Sequence, residues 1–347
     1  MNIGIVHTNF TRGGGMEAYL LSLIAGFQHQ GDGVTVYACK VDRQLAREMG
    51  CRVRRIRPFL PRKAREFRFL DRCDRLPLRQ DHDLSLGMAR TESVHVNVCG
   101  GVHAETLHHI RRTALLRHLY DRIELYFERK MFHKVPHVMA HSAAVKREIL
   151  AHYAITPAKI KVVYPPIDTG RFQAPDGDAR ARARDSLGID DRRVTLLFVS
   201  CGHQRKGLDE LLQAFSALDP ACYQLLIAGS KVPKSHPSNV RFLGYCTNLA
   251  PVYCAVDYTI LPAHYEPFGL VVAESMQCGT PVIATTRVGA TELLANEPAI
   301  LLEDNQPSTI IAAVERLEPG VRVPSGFASR HALDIDQHIT AIKTQFC

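Results

Sequence analysis

Residues 194–218 have the sequence VTLLFVSCGHQRKGLDELLQAFSAL. The segment 194–200 is a short apolar run rich in β-branched residues, which is typical of a buried strand. After a turn containing glycine, residues 207–218 place apolar side chains at helical spacing. A buried strand that leads directly into an amphipathic helix predicts one repeating unit of a parallel α/β sheet.

The same alternation continues on both sides of this segment. Strands and helices of similar length recur through the second half of the chain, and the first half opens with a strand, a glycine loop and a helix. This rhythm predicts two parallel α/β units, with ligands at the carboxyl ends of the strands. The predicted strands are 3–7, 34–39, 83–86, 94–98, 138–141, 161–164, 194–200, 223–228, 240–243, 258–261 and 281–284, and the predicted helices are 16–30, 105–134, 143–152, 207–218, 247–255 and 269–278.

Residues 165–190 separate the two halves. They are rich in proline and glycine and contain alternating arginine and alanine, a composition that predicts a linker. With 347 residues the chain is long enough for two domains. We therefore expect domains at 1–165 and 166–330, and we expect Ser142 to cap the helix that follows it.

Composition narrows the class of protein. Apolar residues make up 46% and charged residues 22%, which excludes disordered and fibrous proteins. The ten cysteines contain no C-x-x-C pair, which favours reduced thiols over a disulfide framework. No stretch has the roughly 18 apolar residues of a membrane span, and the N-terminus has no secretory pattern. We expect a cytoplasmic protein.

Charge is distributed unevenly along the chain. Residues 1–165 carry 27 Lys and Arg against 15 Asp and Glu, whereas residues 166–347 carry 16 against 20, so the net charges are +12 and −4. The excess is concentrated in Arg52–Arg75, where Pro58, Phe59, Leu60, Phe67, Phe69 and Leu70 are interleaved. This pattern predicts contact with an anionic membrane surface. The absence of tryptophan and the few aromatic residues among the basic ones argue against nucleic acid.

Two glycine-containing turns are candidate phosphate sites. Gly13-Gly14-Gly15 precedes the first helix, whose N-terminus favours anions. The loop lacks G-x-G-x-x-G, and the second predicted strand is followed by Lys40 instead of an acidic residue, which disfavours a nicotinamide oxidoreductase. Arg205 and Lys206 lie in the turn at the start of the second half, where two fixed cations can offset diphosphate charge.

The most specific pattern is EPFGLVVAE at residues 266–274. It places Glu266 in the loop after a strand and Glu274 one turn into the next helix, within an otherwise apolar run. A carboxylate at 274 can accept hydrogen bonds from a ribose diol, and Gly269 leaves backbone N–H groups open to phosphate. A glycosidase pair of carboxylates is the alternative interpretation of the two side chains.

The stretch from Glu266 to Glu274, followed by GTPVIA at 279–284, resembles the E-x7-E signature of retaining GT-B glycosyltransferases of family GT4. Arg205-Lys206-Gly207, the glycine loop at 13–15 and the 240–244 segment ahead of Asp257 occur in matching order. Within the family, the surroundings of Arg205-Lys206, Glu128-Arg129 and Tyr164-Pro165-Pro166 are similar to those in lipopolysaccharide core glucosyltransferases.

The resemblance implies an α/β GT-B fold with two Rossmann-like domains facing across a cleft, and a last helix at about 331–347 that returns to the first domain. It implies that the first domain binds the acceptor and the second the nucleotide sugar. The implied donor-phosphate residues are Arg205, Lys206, Gly14 and Gly15, the ribose ligand is Glu274, backbone contacts come from Phe268, Gly269 and Leu270, and the catalytic residues are Glu266 and His103.

The resemblance also implies same-face displacement with retention of configuration. No D-x-D pair lies in a suitable loop, since Asp81-His82-Asp83 is in the first half, so we expect no metal and no cofactor besides a donor such as UDP-glucose. The expected reaction transfers a hexose, with glucose as the first candidate, from a UDP-sugar to an anionic lipid-linked acceptor such as the lipopolysaccharide inner core, at the inner face of a bacterial inner membrane. Alternatives are transfer to another cell-surface polysaccharide, a nucleotide-sugar epimerase or hydrolase on the same fold, and a non-catalytic carbohydrate-binding relative.

Overall fold

The computed structural model describes residues 1–57, 62–109, 115–232 and 235–347. The chain forms two compact units. Unit 1 contains Met1–Pro166 together with Ala332–Cys347, and unit 2 contains Ile167–His331. Each unit is built around its own parallel sheet.

Seven described strands form the sheet of unit 1, in the order β3-β2-β1-β4-β5-β6-β7. All neighbouring strands pair in parallel. The order runs outward from β1 in both directions, so the carboxyl ends of β1 and β4 flank the switch point at which a Rossmann-type sheet binds ligands. The strands are β1 (Asn2–Phe10), β2 (Gly33–Val41), β3 (Arg52–Arg55), β4 (Leu84–Gly87), β5 (Val96–Cys99), β6 (His137–Ala140) and β7 (Ile160–Val162).

Helices cover both faces of this sheet, because the central strands are apolar on both sides. The helices are α1 (Gly15–His29), α2 (Arg43–Glu48), α3 (Arg62–Asp74), α4 (Leu78–Asp81), α5 (His103–His109), α6 (Leu115–Lys134) and α7 (Ala143–His152), and the C-terminal helix is α15 (Ile335–Phe346). α15 packs closely against α1 at Gly26, where a Cβ atom would lie 2.7 Å from Ile335 Cγ1.

Unit 2 repeats the arrangement with six described strands in the order β10-β9-β8-β11-β12-β13. The strands are β8 (Val194–Ser200), β9 (Tyr223–Gly229), β10 (Val240–Gly244), β11 (Tyr258–Leu261), β12 (Val282–Thr285) and β13 (Ala299–Leu302). The helices are α8 (Gly177–Leu187), α9 (His203–Lys206), α10 (Leu208–Ala217), α11 (Ala250–Ala255), α12 (Leu270–Gln277), α13 (Pro307–Val314) and α14 (Phe327–Arg330). The α/β class predicted from the sequence is confirmed.

The prediction of a linker at 165–190 is wrong over Gly177–Leu187, because these residues form α8. Asp176 caps this helix by accepting a hydrogen bond from the Ala179 N–H, and Gly188 ends it in the left-handed conformation. Arg180 and Arg184 pair with Asp257 of unit 2, at 2.9 and 3.6 Å. The alternating arginines thus fasten the helix to unit 2.

The structure also corrects two boundaries in unit 1. The helix predicted at 105–134 is described as α5 and α6, and residues 110–114 lie outside the described residues. β2 extends to Val41, and Lys40 therefore lies within the strand. The residue that follows β2 is the acidic Asp42, so the prediction that a basic residue follows this strand is wrong. The Asp42 carboxylate accepts from the Gln44 and Leu45 N–H groups and therefore serves as the cap of α2. The predicted Ser142 cap is confirmed, since its Oγ accepts from the Val145 N–H at 3.0 Å.

All ten cysteines are free thiols. Among the described residues, no three His, Cys, Asp or Glu side chains are grouped so as to hold a metal ion. None of the helices within those residues is both long and apolar enough to cross a bilayer.

Candidate functional site

In unit 2, the turn after β8 presents the two predicted cations. α9 ends at Lys206, and Gly207 connects it to α10 with a φ of 80°. A Cβ atom at Gly207 would lie 2.0 Å from the Pro262 carbonyl oxygen, so this position requires glycine on grounds of both conformation and space. The turn at Gly207 therefore packs directly against the loop that follows β11.

Backbone and side-chain hydrogen bonds fix these two loops to each other. The His264 N–H donates to the Arg205 carbonyl at 3.0 Å, and Arg205 Nη1 donates to the Tyr265 carbonyl at 2.7 Å. Lys206 Nζ lies 3.4 Å from the Val199 carbonyl. Both cations are consequently held at the carboxyl edge of the unit 2 sheet.

Glu266 lies between the two cations. One oxygen of its carboxylate, Oε2, is 3.1 Å from Arg205 Nη1 and 3.6 Å from Lys206 Nζ. All three side chains are more than two-thirds buried. Two positive charges against one carboxylate leave an excess of one positive charge, which suits an anionic ligand.

The loop from Glu266 to Leu270 is held in place by the segment that follows β12. Glu266 forms a parallel bridge with Val288, and the Ala290 N–H donates to the Phe268 carbonyl at 2.7 Å. Gly269 has a φ of 93° and precedes α12, whose first N–H groups have no acceptor within the helix. A Cβ atom there would lie 2.9 Å from Val288 Cγ1, so glycine permits the close approach.

Glu274 lies on α12, one turn further along. Its Oε2 accepts a 2.9 Å hydrogen bond from the hydroxyl of Tyr253, which is fully buried on α11. Burial raises the pKa of Glu274, and the Tyr253 hydrogen bond with the charges of Arg171 and Lys206 opposes that rise. Lys206 therefore links the environments of Glu266 and Glu274 electrostatically.

Sequence reasoning missed two of these groups, Tyr253 and Arg171. Arg171 lies within the predicted linker, where its Nη2 donates to the Thr247 carbonyl at 2.5 Å and its guanidinium stacks on Phe172. Tyr253 is separated from Glu274 by 21 positions and belongs to another helix. The one sequence signal for this contact is that Tyr253 lies in the apolar helix α11. A tyrosine in such a helix is expected to be buried, and a buried hydroxyl needs a hydrogen-bond partner.

In unit 1, the glycine loop forms the start of α1. Gly13 and Gly14 have φ values of 114° and 73°, and Gly14 is the residue that precedes the helix. A Cβ atom at Gly14 would lie 2.3 Å from Glu17 Oε2. The Glu17 carboxylate thus already faces the helix N-terminus at Gly14 and Gly15, where the resemblance implies phosphate contact.

His103 begins α5 and has a defined set of partners. Its Nε2 lies 3.1 Å from Asp121 Oδ1, and its backbone N–H donates to the Glu128 carboxylate at 2.8 Å. Glu128 is almost fully buried and also accepts from the Tyr153 hydroxyl at 2.9 Å and from Arg90 Nε at 3.4 Å. The histidine ring is therefore oriented by Asp121, and the start of its helix is held by Glu128.

His103 lines a pocket of about 410 Å³ in unit 1. The pocket opens at the carboxyl ends of β1, β4 and β5, at the switch point of the sheet. His7 reaches it from β1 with both ring nitrogens buried and without a hydrogen-bond partner, and burial lowers its pKa. Other polar groups in the wall are Thr8, Asn9, Glu66, Arg90, Asn97, Thr106 and Glu128.

The basic segment Arg52–Arg75 does not present its apolar residues as the sequence pattern predicts. Phe69 and Leu70 are buried in the core of unit 1, and the ring of Phe67 stacks on that of Phe127 at 5.6 Å. Pro58–Leu60 lie outside the described residues. The described part of the segment consequently exposes arginines without exposed apolar side chains.

Comparison with known proteins identifies this architecture. Residues 13–171 match the model for "Glycosyltransferase Family 4", and residues 193–318 match that for "Glycosyl transferases group 1". A probable transglycosylase of Burkholderia thailandensis is 33% identical over 98% of this chain and 94% of its own length. A D-inositol 3-phosphate glycosyltransferase of Geodermatophilus obscurus is 30% identical over 59% of this chain and 50% of its own length.

Solved structures agree on the fold. WaaG, a glycosyltransferase involved in lipopolysaccharide biosynthesis, superimposes with a TM-score of 0.73 at 16% identity, over 99% of this chain and 95% of its own. HepE of Anabaena in complex with UDP and glucose gives 0.71 at 15% identity, over 100% and 95%. The fold is thus of the GT-B type, and the predicted fold class is confirmed. The chain belongs to glycosyltransferase family 4.

Proposed function

We propose that this protein is a retaining glycosyltransferase that moves a hexose, with glucose as the first candidate, from a UDP-sugar to an anionic lipid-linked saccharide such as the lipopolysaccharide inner core. The observation that carries the proposal is that Arg205 and Lys206 both lie within 3.6 Å of the Glu266 carboxylate, and that the charge of Lys206 also acts on Glu274. Unit 2 binds the donor, and unit 1 binds the acceptor.

Each side chain of the cluster has a distinct task. Arg205 and Lys206 bind the diphosphate and stabilise the charge that develops on it as the C1–oxygen bond breaks. Glu274 accepts hydrogen bonds from the ribose hydroxyls, while Phe268, Gly269 and Leu270 contact phosphate and sugar through their backbone. Glu266 contacts the donor sugar. Because two fixed cations provide the positive charge, we expect transfer in the presence of EDTA.

The reaction proceeds on one face of the sugar. The acceptor oxygen bonds to C1 as the bond to the UDP oxygen breaks, and the acceptor proton passes to the departing phosphate. The products are the glycoside, with its configuration retained, and UDP. Orientation of the two substrates is the protein's main contribution besides charge stabilisation.

The pocket of unit 1 is the proposed acceptor site, with Gly14 and Gly15 as donor-phosphate contacts. His7, Asn97, Arg90 and His103 supply hydrogen-bonding groups at its wall, as sugar hydroxyls require. Glu124 and Glu128 both pair with Arg90 and neutralise its charge. We therefore expect the phosphates of an anionic acceptor to bind to other residues than Arg90. We place the protein at the cytoplasmic face of the membrane, where UDP-sugars and lipid-linked acceptors meet.

The test measures UDP release from UDP-glucose with and without lipopolysaccharide inner-core acceptor, with EDTA in parallel. We expect release that depends on the acceptor, with an anomeric configuration by NMR that matches the donor. Lys206→Ala and Glu274→Gln should each reduce turnover at least tenfold, because each loses a contact to a charged or buried group. Arg192→Ala, in which the replaced side chain is 88% exposed, is the matched control. Equal UDP release without acceptor would favour a hydrolase, and inversion of configuration would reject the mechanism.

A further inference from the structure

The wall of the unit 1 pocket carries more negative than positive charge. Glu66 and Glu128 contribute two carboxylates, and Arg90 is the one lysine or arginine of the wall within the part of the chain that the structure describes. Arg90 is already paired with Glu128 and also with Glu124, which lies outside the wall. The single cation is therefore neutralised, and negative charge remains.

Glu66, on α3, shows the effect of this excess charge. Its Oε2 accepts a hydrogen bond of 3.5 Å from the Tyr120 hydroxyl. Burial raises the pKa of Glu66, the negative charge of Glu124 adds to this rise, and Arg90 opposes it by a smaller amount. The surroundings of Glu66 therefore disfavour negative charge, and a further anion such as a sugar phosphate should bind poorly beside it.

Another carboxylate lies where the pocket meets the start of α1. Glu17 Oε1 is 3.9 Å from His7 Nε2 and accepts a hydrogen bond of 3.4 Å from Asn9 Nδ2. Both His7 and Asn9 belong to the pocket wall. An anionic group bound beside His7 would therefore be repelled by the charge of Glu17 as well.

His7 brings unsatisfied hydrogen-bonding groups to this pocket. Its side chain is only 10% exposed, neither ring nitrogen has a hydrogen-bond partner, and Glu17 at 3.9 Å is too distant to be one. Burial lowers the pKa of His7 and the charge of Glu17 opposes that change, so the ring is neutral at pH 7, with one N–H donor and one acceptor nitrogen. Leaving both buried and unpaired is unfavourable. The hydroxyls of a sugar, which donate and accept, would satisfy both nitrogens.

We propose that the pocket of unit 1 binds a sugar ring that has no phosphate or carboxylate group, and that hydroxyls of this ring form hydrogen bonds with His7. The inference rests on the proposed function, because it specifies which part of the anionic acceptor enters the pocket. The acceptor's phosphates then lie outside the pocket. His7 is an acceptor-binding residue, and the carboxylates of Glu17, Glu66 and Glu128 exclude phosphorylated rings.

Ligand-detected NMR tests the preference for an uncharged ring. The probes are the methyl glycosides of glucose, galactose and mannose, together with the 6-phosphates of the same sugars. We expect saturation transfer from the protein to at least one neutral glycoside and about tenfold weaker binding of the corresponding 6-phosphate, because the phosphate meets uncompensated carboxylates. Glu66→Gln should narrow this difference, whereas Glu315→Gln, at an exposed position of unit 2, should leave it unchanged. Binding of the 6-phosphates as tight as that of the neutral glycosides, or no binding of any neutral glycoside, would overturn the proposal.

His7→Phe tests where the ring binds. Phenylalanine occupies a similar space and has no polar atom to leave unpaired, so the variant should fold with a Tm no lower than that of the wild type. Binding of the neutral glycoside should weaken about fivefold, the factor expected for one lost hydrogen bond. The control is His29→Phe, at a histidine of unit 1 whose side chain is 75% exposed, and it should bind the glycoside as the wild type does. Unchanged glycoside binding by His7→Phe would contradict the proposed contact.

The same variant separates this proposal from the proposed function, because the NMR measurement needs neither UDP-glucose nor turnover. In active protein, His7→Phe should raise KM for the acceptor about fivefold and leave UDP affinity unchanged. Glycoside binding that depends on His7, in a protein without transferase activity, would reject the proposed function alone. Acceptor-dependent transfer with an unchanged KM in His7→Phe would reject the role of His7 and leave the proposed function standing.

Discussion

Glu266 Oε2 lies 3.1 Å from Arg205 Nη1, so the carboxylate proposed to contact the donor sugar is also the counter-ion of the cations proposed to bind its phosphates. We expect a bound diphosphate to compete with this carboxylate for Arg205 and Lys206. Under the proposed function, Glu266 should therefore influence both the affinity for the nucleotide and the rate at which the nucleotide dissociates.

Glu266→Gln should separate these two effects. Removing the negative charge frees Arg205 and Lys206, so we expect UDP to bind about fivefold more tightly, equivalent to about 1 kcal/mol for charges in a well-solvated site. Sugar transfer should fall at least tenfold, because the amide no longer stabilises positive charge at C1. Calorimetry with UDP and a turnover assay measure the two quantities.

The exposed Glu315, replaced by Gln, is the control for a change of net charge in unit 2. It should alter neither UDP affinity nor turnover. Weaker UDP binding by Glu266→Gln would show that the carboxylate orders the two cations for the nucleotide and does not compete with it.

Tyr253→Phe tests the environment of Glu274. The Tyr253 hydroxyl lowers the pKa of Glu274 that burial has raised, so its removal should raise that pKa further. If ionised Glu274 accepts hydrogen bonds from ribose, UDP affinity falls as the pH drops through this pKa. The fall should then begin at a higher pH in Tyr253→Phe, with about fivefold weaker binding at neutral pH.

Tyr258→Phe is a matched control, because Tyr258 is also a buried tyrosine of unit 2 and its hydroxyl donates to the Glu318 carbonyl at 2.9 Å. UDP titrations from pH 5 to 8 for the wild type and both variants provide the comparison. If UDP affinity depends on pH in the same way in the wild type and in Tyr253→Phe, the assignment of Glu274 to the nucleotide site is wrong.

The relation between Tyr253 and Glu274 also shows what the sequence reveals and what it does not. Strand β8 and helix α10 are predicted because buried strands and amphipathic helices leave their own periodicities in the chain. The 2.9 Å contact between Tyr253 and Glu274 joins two helices and depends on how they pack, which leaves no local pattern. The positions of Arg205 and Lys206 around Glu266 likewise depend on the close packing of Gly207 against the Pro262 carbonyl group, which has no local sequence pattern either.

Helix α8 shows a different source of error. Its flanking proline and glycine residues favoured a linker, although Asp176 and Gly188 are suitable start and stop signals for a helix. In α3 the interleaved apolar residues belong to the inner face, as Phe69 shows. A charged helix that packs on a core and a basic loop that meets a membrane have similar compositions, and only the packing distinguishes them.

Glu128 is expected to be a major stabilising residue of unit 1. Its replacement by alanine removes an acceptor from the Tyr153 hydroxyl, from the His103 N–H and from Arg90. Breaking a buried network of this kind costs about 3 kcal/mol, which corresponds to a decrease of about 10 °C in Tm. Differential scanning fluorimetry should show this decrease, with Glu128→Gln intermediate and the exposed Glu48→Ala close to wild type. A Tm for Glu128→Ala within 2 °C of wild type would contradict the assignment.

Two buried histidines make the stability of unit 1 depend on pH. The hydroxyl of Tyr19 lies 2.8 Å from Nε2 of His338 on α15, and its ring contacts that of His141. Burial lowers the pKa of His141 to about 4 and that of His338 to about 3, from an ordinary value of 6.5. Below pH 6.5 the unfolded chain binds protons that the folded chain does not, so folding stability decreases as the pH falls toward these values.

His338→Gln should therefore reduce the pH dependence of Tm. Glutamine keeps an acceptor for Tyr19 but does not titrate, and each histidine contributes up to about 1.4 kcal/mol per pH unit between the unfolded and folded pKa values. We expect the decrease in Tm between pH 7 and pH 5 to be several degrees smaller in this variant than in the wild type. His29→Gln, which replaces an exposed histidine of unit 1, should keep the wild-type decrease. Equal decreases in all three proteins would show that His338 does not set the acid sensitivity of the unit, because the loss of one titrating group must reduce the difference in bound protons.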